Sequence, residues 1–253
     1  IGFLKKSIPV YKRIKFKEIF VIDGESIDVS KEYLKEKNIK FYSDRGKGLS
    51  YYRQMGVSKS RGDFIFMAGP DDICDEYFFS KLCAEFKKTN FDAATTLLKI
   101  KSEVTYWDKS LNNWYSYIRK LGKTNIVGTP TIFKREIFQH IGYEENTIGC
   151  DDTDISNKLI KSGYNLGVID TVCDQANFNN FEDIKKKFNL YGKSDLNYYK
   201  YKNSNFKINN WANKFIHPLR HFVKFSYFLV SKFKIQFIFF SIIMTFYRIR
   251  GSI

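Results

Sequence analysis

The run GDFIFMAGPDD, from Gly62 to Asp72, decides the fold of this chain. Phe64–Met67 is a short apolar segment typical of a buried strand, and the Gly-Pro pair after it ends the strand. Two adjacent carboxylates, Asp71 and Asp72, follow at once. In an open α/β sheet, ligands bind beyond the carboxyl ends of the strands, and carboxylates placed there suit a hard divalent cation that carries a substrate's phosphates. Taken alone, the pair also fits a turn with solvated acids.

Upstream segments extend this pattern. Residues 48–62, GLSYYRQMGVSKSRG, predict a helix that begins and ends at a glycine. Residues 18–22 form a second run of the buried-strand type, which leads into a segment that contains Asp23, Ser26 and Asp28.

A second aspartate pair, Asp151-Asp152, opens another predicted helix. Together with Asp154 it would lie in the first turn, where negative charge interacts favourably with the helix dipole. The predicted apolar stripe of this helix comprises Ile155, Leu159 and Ile160, and its end is marked by Lys161 and Gly163. These aspartates either carry chemistry or only cap a helix.

In their order and spacing, these motifs resemble those of the family 2 glycosyltransferases of the GT-A fold. The family's first motif, Val-Asp-Asp-Gly-Ser-x-Asp after a strand, is matched by Val21, Ile22, Asp23, Ser26 and Asp28. Its second, Gly-x-x-x-x-Arg-Asn-x-Gly followed by Gly-Asp-Tyr-Ile and an Asp-x-Asp metal motif, is matched by Gly48, Arg53, Gly56, residues 62–65 and Asp71-Asp72. The family's Glu-Asp motif, which opens a helix and presents the catalytic base, corresponds to Asp151-Asp152.

The resemblance implies an α/β fold with a mixed, mostly parallel sheet flanked by helices and a C-terminal helical tail. We expect a catalytic domain over residues 1–205 and a basic amphipathic tail over residues 206–253. The implied reaction moves a sugar from a nucleotide-diphosphate donor to a hydroxyl of a saccharide or lipid-linked saccharide, with inversion at the anomeric carbon. A role in cell-envelope polysaccharide or glycolipid synthesis is expected.

The resemblance also implies roles for the acids. Asp152 would act as the general base with Asp151 beside it. Asp71, supported by Asp72, would hold Mn²⁺ or Mg²⁺ against the donor diphosphate. Asp23 and Asp28 complete the donor-binding residues with Arg53, which would assist the phosphates or position the acids.

Two departures from the family leave an alternative open. Gly69 stands where the metal motif normally has an aspartate, and the family's first strand with its nucleotide-holding loop would precede Ile1. We therefore expect an N-terminally truncated catalytic domain. A catalytically impaired nucleotide-sugar-binding relative is the alternative.

Composition predicts one core, or one core with an appendage, in a chain of 253 residues. The cysteines show no Cys-x-x-Cys spacing, which argues against a zinc site or redox motif and favours reduced thiols in the cytoplasm. They are Cys74, Cys83, Cys150 and Cys173.

The net charge of +15 is concentrated at the C-terminal end, where no acidic residue follows Asp195. A polar face at helical spacing comprises Arg220, Lys224, Tyr227, Ser231 and Lys234. The apolar run 235–247 is shorter than the ~20 residues that span a bilayer. We therefore expect a peripheral protein on an anionic membrane surface, at the inner face of the cytoplasmic membrane.

A packed helical appendage is one alternative. Another is a basic peripheral-membrane or nucleic-acid-binding protein on an unrelated fold, although no nucleic-acid module is visible and no nucleic-acid partner is expected.

Aromatic residues lie between the two aspartate pairs. In the resembling family this stretch lines the acceptor side, whereas inward packing on a helix is the alternative. They are Trp107, Trp114, Tyr115 and Tyr117.

Overall fold

The computed structural model describes residues 2–43, 45–69, 71–144, 150–176, 180–202 and 210–253. The chain forms two compact units. The first comprises Ile1–Lys99, Arg119–Asn146 and Asp151–Ala176, and the second comprises Ile100–Ile118, Thr147–Cys150 and Asn177–Ile253. The predicted boundary between residues 205 and 206 lies outside the described residues.

The helices and strands follow in chain order. They are α1 (Gly2–Arg13), β1 (Phe20–Asp23), α2 (Ser30–Glu36), β2 (Lys40–Ser43), α3 (Leu49–Lys59), β3 (Phe64–Met67), β4 (Asp72–Ile73), α4 (Glu76–Lys87), β5 (Ala93–Lys99), α5 (Tyr106–Ile118), β6 (Gly122–Lys123), β7 (Thr131–Lys134), α6 (Asp151–Lys161), β8 (Leu166–Gln175), α7 (Phe181–Lys202), α8 (Asn210–Ser231) and α9 (Ile238–Gly251).

Two sheets form the centre of the first unit. β1 and β2 pair in parallel, and a larger sheet has the order β3-β7-β5-β8-β4, with β6 also paired to β8. The fold is therefore mixed α/β, as predicted. β3, β5 and β8 run in one direction, but β7 is inserted antiparallel between β3 and β5. Among the described strands, parallel pairs are consequently the minority, two against four, where we expected them to predominate.

Helices cover both faces of the larger sheet. Because side chains alternate along a strand, the neighbours Ile132 and Phe133 of β7 enter different cores. Phe133 packs in the core that contains Ile155 and Leu159 of α6, whereas Ile132 packs in the core built on α4. Ile160 is 40% exposed, so the predicted stripe of α6 consists of Ile155 and Leu159 alone. Successive residues are about 100° apart around a helix, so Ile160, which directly follows Leu159, lies outside the stripe.

A glycine precedes α3 and another follows α6, as the sequence predicts, but α3 ends at Lys59 with Ser60 as its C-cap residue and does not reach the predicted glycine, Gly62. α3 begins after Gly48, whose φ of 94° is a left-handed value that favours glycine, and α6 is followed by Gly163 with a φ of 85°. Gly48 therefore marks the start of the helix that carries Arg53.

The second unit is helical and has an aromatic core. Trp114 of α5 contacts Phe188 of α7 and Phe225 of α8, and Phe188 contacts Phe240 of α9. The C-terminal helices therefore share one core with α5 and α7. Trp114 and Tyr115 are buried, so for these two aromatic residues the alternative of inward packing on a helix holds. Within the described part of the chain, no helix is both long and apolar enough to cross a bilayer.

Candidate active site

The two aspartate pairs approach each other because β3 and β7 are antiparallel neighbours. Met67, the last residue of β3, is paired with Thr131, the first of β7. The segment that follows β3 therefore lies beside the segment that precedes β7. The first segment carries the pair Asp71-Asp72, which we call the first acid pair. The second contains Gly128 and Thr129.

Asp72 of the first acid pair is buried and bound by the protein itself. Its Oδ2 accepts the Gly69 N–H at 2.6 Å, and its Oδ1 accepts a hydrogen bond from the Gln175 side-chain amide. Burial raises the pKa of the Asp72 carboxyl to about 6, against the hydrogen bond from Gly69. Because both carboxylate oxygens are engaged, Asp72 supports the site more readily than it coordinates an ion.

Asp71 is half-buried, and Gly69 gives its carboxylate room. A Cβ atom at position 69 would lie 2.8 Å from Asp71 Oδ1 and 3.4 Å from Asp72 Oδ2. A side chain at position 69 would therefore require the Asp71 carboxylate to move, and glycine leaves that carboxylate where it is. Asp71 is the carboxylate of the pair that is better placed to meet a ligand.

The pair Asp151-Asp152, which we call the second acid pair, is held by Arg53. The buried Arg53 side chain forms a close ion pair with Asp151, and its Nη2 lies 3.5 Å from Asp152 Oδ1. The Asp151 side chain is only 4% exposed, whereas that of Asp152 is 36% exposed. Burial raises the pKa of the Asp151 carboxyl, the Asp152 charge adds to this, and the Arg53 charge opposes it. An incoming molecule can therefore reach Asp152 but not Asp151.

Gly128 and Thr129 lie between the two acid pairs. A Cβ atom at Gly128 would be 2.6 Å from Asp152 Oδ2. On the other side, the Thr129 hydroxyl oxygen would lie 3.7 Å from a Cβ at Gly69. Arg53 and the two acid pairs thus lie around the segment Gly128–Thr129, and the roles predicted for them stay predictions.

Asp23 and Asp28 form a separate group at the end of β1. The buried Asp23 carboxylate lies 3.3 Å from Lys31 Nζ and accepts the Ser26 N–H, and Asp28 accepts the Ser30 N–H at 3.0 Å. Burial alone would raise the pKa of Asp23, but the bonds from Ser26 and Lys31 outweigh it and lower that pKa. This group ends the smaller sheet, against which α3 packs.

Sequence reasoning missed three residues: Gln175, which donates to Asp72, and Arg119 and Thr95. Arg119 donates to the carbonyl oxygens of Gly128 and Thr129 at 3.1 and 2.8 Å, and the Thr95 hydroxyl lies 2.6 Å from the Gly128 carbonyl. Arg119 has no recognisable local pattern. Thr95 did have a local signal. It is a hydroxyl residue in a largely apolar strand, and a buried hydroxyl requires a hydrogen-bond partner.

The carboxylates of this site suit a hard divalent cation only if a bound substrate and water fill the remaining coordination positions. Among the described residues, no three His, Cys, Asp or Glu side chains are grouped to hold a metal ion. Asp71 and Asp72 offer carboxylate oxygens, which suit Mg²⁺ or Mn²⁺. Mg²⁺ commonly binds through one or two carboxylates with the remaining positions taken by substrate phosphates and water.

Comparison with known proteins identifies the class. The family model described as glycosyl transferase family 2 matches residues 5–142. A protein of Rickettsia bellii described as an uncharacterized glycosyltransferase is 26% identical over 171 residues, which are 57% of this chain and 24% of that protein. The chain therefore spans about a quarter of that relative.

Solved structures share the fold at low identity. The mannosyltransferase PcManGT from Pyrobaculum calidifontis, in complex with GDP-Man and Mn²⁺, matches with a TM-score of 0.68 at 11% identity over 99% of this chain and 82% of that one. Mannosyl-3-phosphoglycerate synthase from Rubrobacter xylanophilus matches with a TM-score of 0.53 at 13% identity, over 82% and 72%.

The chain belongs to glycosyl transferase family 2. Its fold is the GT-A fold of glycosyltransferases. The predicted family and fold class are thus confirmed, whereas the activity of the whole protein and the roles of the individual site residues remain predictions.

Proposed function

We propose that the protein transfers a sugar from a nucleotide-diphosphate donor to a hydroxyl acceptor, with inversion at the anomeric carbon. The observation that carries this proposal is the position of Asp152. It is the more exposed member of the second acid pair, and it lies against the segment Gly128–Thr129, whose other end lies near Gly69 and the first acid pair.

In this proposal Asp152 accepts the proton of the acceptor hydroxyl as that oxygen attacks the anomeric carbon. The bond from this carbon to the diphosphate breaks on the opposite face, and the nucleoside diphosphate leaves with the bonding electrons. A single displacement of this kind inverts the configuration. Arg53 keeps both carboxylates of the second acid pair in place while the proton arrives.

The first acid pair serves the donor. Asp71, with Asp72 in support, would hold Mn²⁺ or Mg²⁺, and such a cation, when bound, neutralises charge on the leaving diphosphate. Asp23 and Asp28 would face the nucleoside. The complex of PcManGT with GDP-Man and Mn²⁺ supports this class of donor and cation.

A donor screen tests the proposal. Nucleoside diphosphate release is measured for UDP- and GDP-sugars with Mn²⁺, Mg²⁺ or EDTA, with and without saccharide and lipid-linked acceptors, and NMR gives the anomeric configuration of the product. Metal-dependent release with an inverted product supports the proposal, and a retained configuration refutes it. Tight donor binding without turnover on any acceptor would favour the alternative, an impaired nucleotide-sugar-binding relative.

We propose further that the protein works as a peripheral protein at an anionic membrane, on the cytoplasmic side, in cell-envelope polysaccharide or glycolipid synthesis. α8 and α9 each expose an apolar stripe at helical spacing, with side chains 47% to 75% exposed. We call this set the docking face. It comprises Leu219, Val223 and Val230 on α8, and Phe239, Ile242 and Phe246 on α9, together with Tyr227, which belongs to the predicted polar face and whose exposed ring lies at the spacing of the apolar stripe.

Charge favours a membrane as the partner of the docking face. Arg220, Lys224 and Lys232 are exposed on or beside α8, and no acidic residue follows Asp195. Each cation near an anionic surface contributes about 1 kcal/mol, and the apolar side chains add a component that salt does not screen. Lys234 of the predicted polar face instead donates to Asn113 Oδ1 at 2.5 Å.

Point substitutions test the docking face, because removing the tail would also remove buried core residues such as Phe225 and Phe240. Val223→Glu and Phe239→Glu should abolish flotation with phosphatidylserine vesicles and leave the melting temperature within a few degrees. Tyr77→Glu, at a residue of α4 that is 73% exposed, is the matched control. Vesicle binding by both variants, or oligonucleotide binding that outcompetes vesicles, would refute the membrane proposal.

A further inference from the structure

Arg119 connects the backbone on two sides of the candidate site. Its Nη1 donates to the Thr95 hydroxyl and, at 2.9 Å, to the Thr96 carbonyl oxygen, both on β5. Its Nη2 donates to the carbonyl oxygens of Gly128 and Thr129. One guanidinium group thereby joins β5 to the segment between the two acid pairs.

We propose that Arg119 is a positioning residue that fixes the segment Gly128–Thr129, and with it the separation between Asp152 and the first acid pair. The inference rests on the proposed function, because that separation matters only if the base on one side and the donor phosphates on the other act on the same molecule.

The spacing around this segment is tight. A Cβ at Gly128 would lie 3.3 Å from Arg119 Nη2 as well as 2.6 Å from Asp152 Oδ2. The Asp152 carboxylate therefore lies directly against Gly128, and the hydrogen bonds from Arg119 hold the carbonyl groups of the segment in place. In catalysis, a misplacement of about 1 Å costs on the order of 100-fold in rate, so a residue that sets this position acts on the reaction without touching the substrate.

The geometry requires an arginine. The guanidinium is planar and offers two nitrogens in a fixed fork, one for each side, whereas the single ammonium of lysine cannot reach both. Thr95 supports the same segment. Its hydroxyl accepts from Arg119, so its one proton is directed towards the carbonyl oxygens of Gly128 and Pro130, at 2.6 and 3.0 Å.

A role in folding alone predicts a different outcome from a positioning role. Loss of packing would lower the melting temperature and reduce donor affinity and turnover together. Loss of positioning lowers kcat and leaves donor affinity nearly unchanged, because the donor contacts remain and only their relation to the base is altered.

The test compares Arg119→Lys, Arg119→Ala and Thr95→Val with Arg61→Ala, a control in which an exposed arginine paired with Glu18 is removed. We expect Arg119→Lys to lower kcat by about 10- to 100-fold and to change the donor Kd by less than about threefold. Thr95→Val should act in the same direction and less strongly. Guanidinium chloride at sub-denaturing concentration should partly restore Arg119→Ala, and tetramethylammonium chloride should not.

Hydrogen exchange supplies a readout that does not depend on turnover. Peptides that cover residues 127–131 should exchange faster in Arg119→Lys than in the unmodified protein, with the helical peptides unchanged. Unchanged kcat and exchange in Arg119→Lys would overturn the proposal, as would equal losses of kcat, donor affinity and melting temperature. If the unmodified protein transfers sugar to no acceptor, including water, the proposed function fails, whereas the exchange rates still confirm or refute the role of Arg119.

Discussion

The two carboxylates of the second acid pair should separate stability from catalysis. Asp151→Asn removes the close partner of Arg53, whose side chain is only 8% exposed. Breaking a buried pair in this way typically costs about 3–5 kcal/mol, and Asp152, still 3.5 Å from Arg53, keeps the loss near 3 kcal/mol. For a chain of this size, that corresponds to a fall of roughly 6–12 °C in melting temperature.

Asp152→Asn should show the opposite pattern. Its pair with Arg53 is longer and more exposed, so its loss should cost less than about 1 kcal/mol of unfolding free energy. Loss of a general base lowers kcat by about 10²- to 10⁴-fold, or roughly 3–5 kcal/mol of activation free energy. Donor affinity should hardly change, because the carboxylate meets the acceptor and not the nucleotide.

The assay combines thermal unfolding, donor titration calorimetry and initial-rate kinetics on both variants. Asp154→Asn is a useful third variant, since the buried Asp154 carboxylate is paired with Lys158 at 3.0 Å and is not expected to act as a base. Near-normal turnover in Asp152→Asn, with turnover lost in a correctly folded Asp151→Asn, would falsify the assignment of the base.

Three further predictions concern other sites. Asp71→Asn should weaken Mn²⁺-dependent donor binding by about tenfold or more with little change in melting temperature, and calorimetry with EDTA as the control would reveal metal-independent binding as a contradiction. Gly69→Ala should displace the Asp71 carboxylate, because the new Cβ meets Asp71 Oδ1 at 2.8 Å, and should lower the unfolding free energy by less than about 1 kcal/mol because this side chain can move; a large fall in the urea midpoint would contradict this. His221→Phe should make the stability of the protein less sensitive to acid. Burial and the Arg248 charge lower the His221 pKa to about 3. The ring therefore stays neutral in the folded protein, whereas in the unfolded chain it is protonated below pH ~6.5. Stability is thus lost as pH falls, by up to about 2 kcal/mol at pH 5, and urea titrations with identical pH slopes for both proteins would exclude the effect.

Local sequence predicted the elements that carry the acids. The helix with Arg53, the strand Phe64–Met67 and the helix that begins at Asp151 are encoded by glycines, short apolar runs and first-turn charges close in sequence. The position of β7 could not be read in this way. Its antiparallel insertion depends on pairing with β3 and β5, far away along the chain, and that pairing creates the Gly128–Thr129 segment.

The residues that sequence reasoning missed also depend on contacts between segments that are far apart in the chain. Arg119, Thr95 and Gln175 act through hydrogen bonds to partners elsewhere in the chain. The sequence around Arg119 and Gln175 does not indicate these partners, and that around Thr95 indicates only that its hydroxyl needs one. The tail shows the converse. Its amphipathic pattern was visible, but the pattern alone did not reveal that Phe225 and Phe240 face a core shared with Phe188.

The division of the chain between its two units has a consequence for how such proteins are recombined. Ile100–Ile118 leaves the sheet-containing unit after β5, and the chain returns at Arg119 before β7. The helical unit is thus an interleaved part of the sequence and not a cassette at its end. A chimera that borrows only the C-terminal helices of a relative would pair them with a foreign α5, so exchanges between relatives should succeed when α5 travels with them.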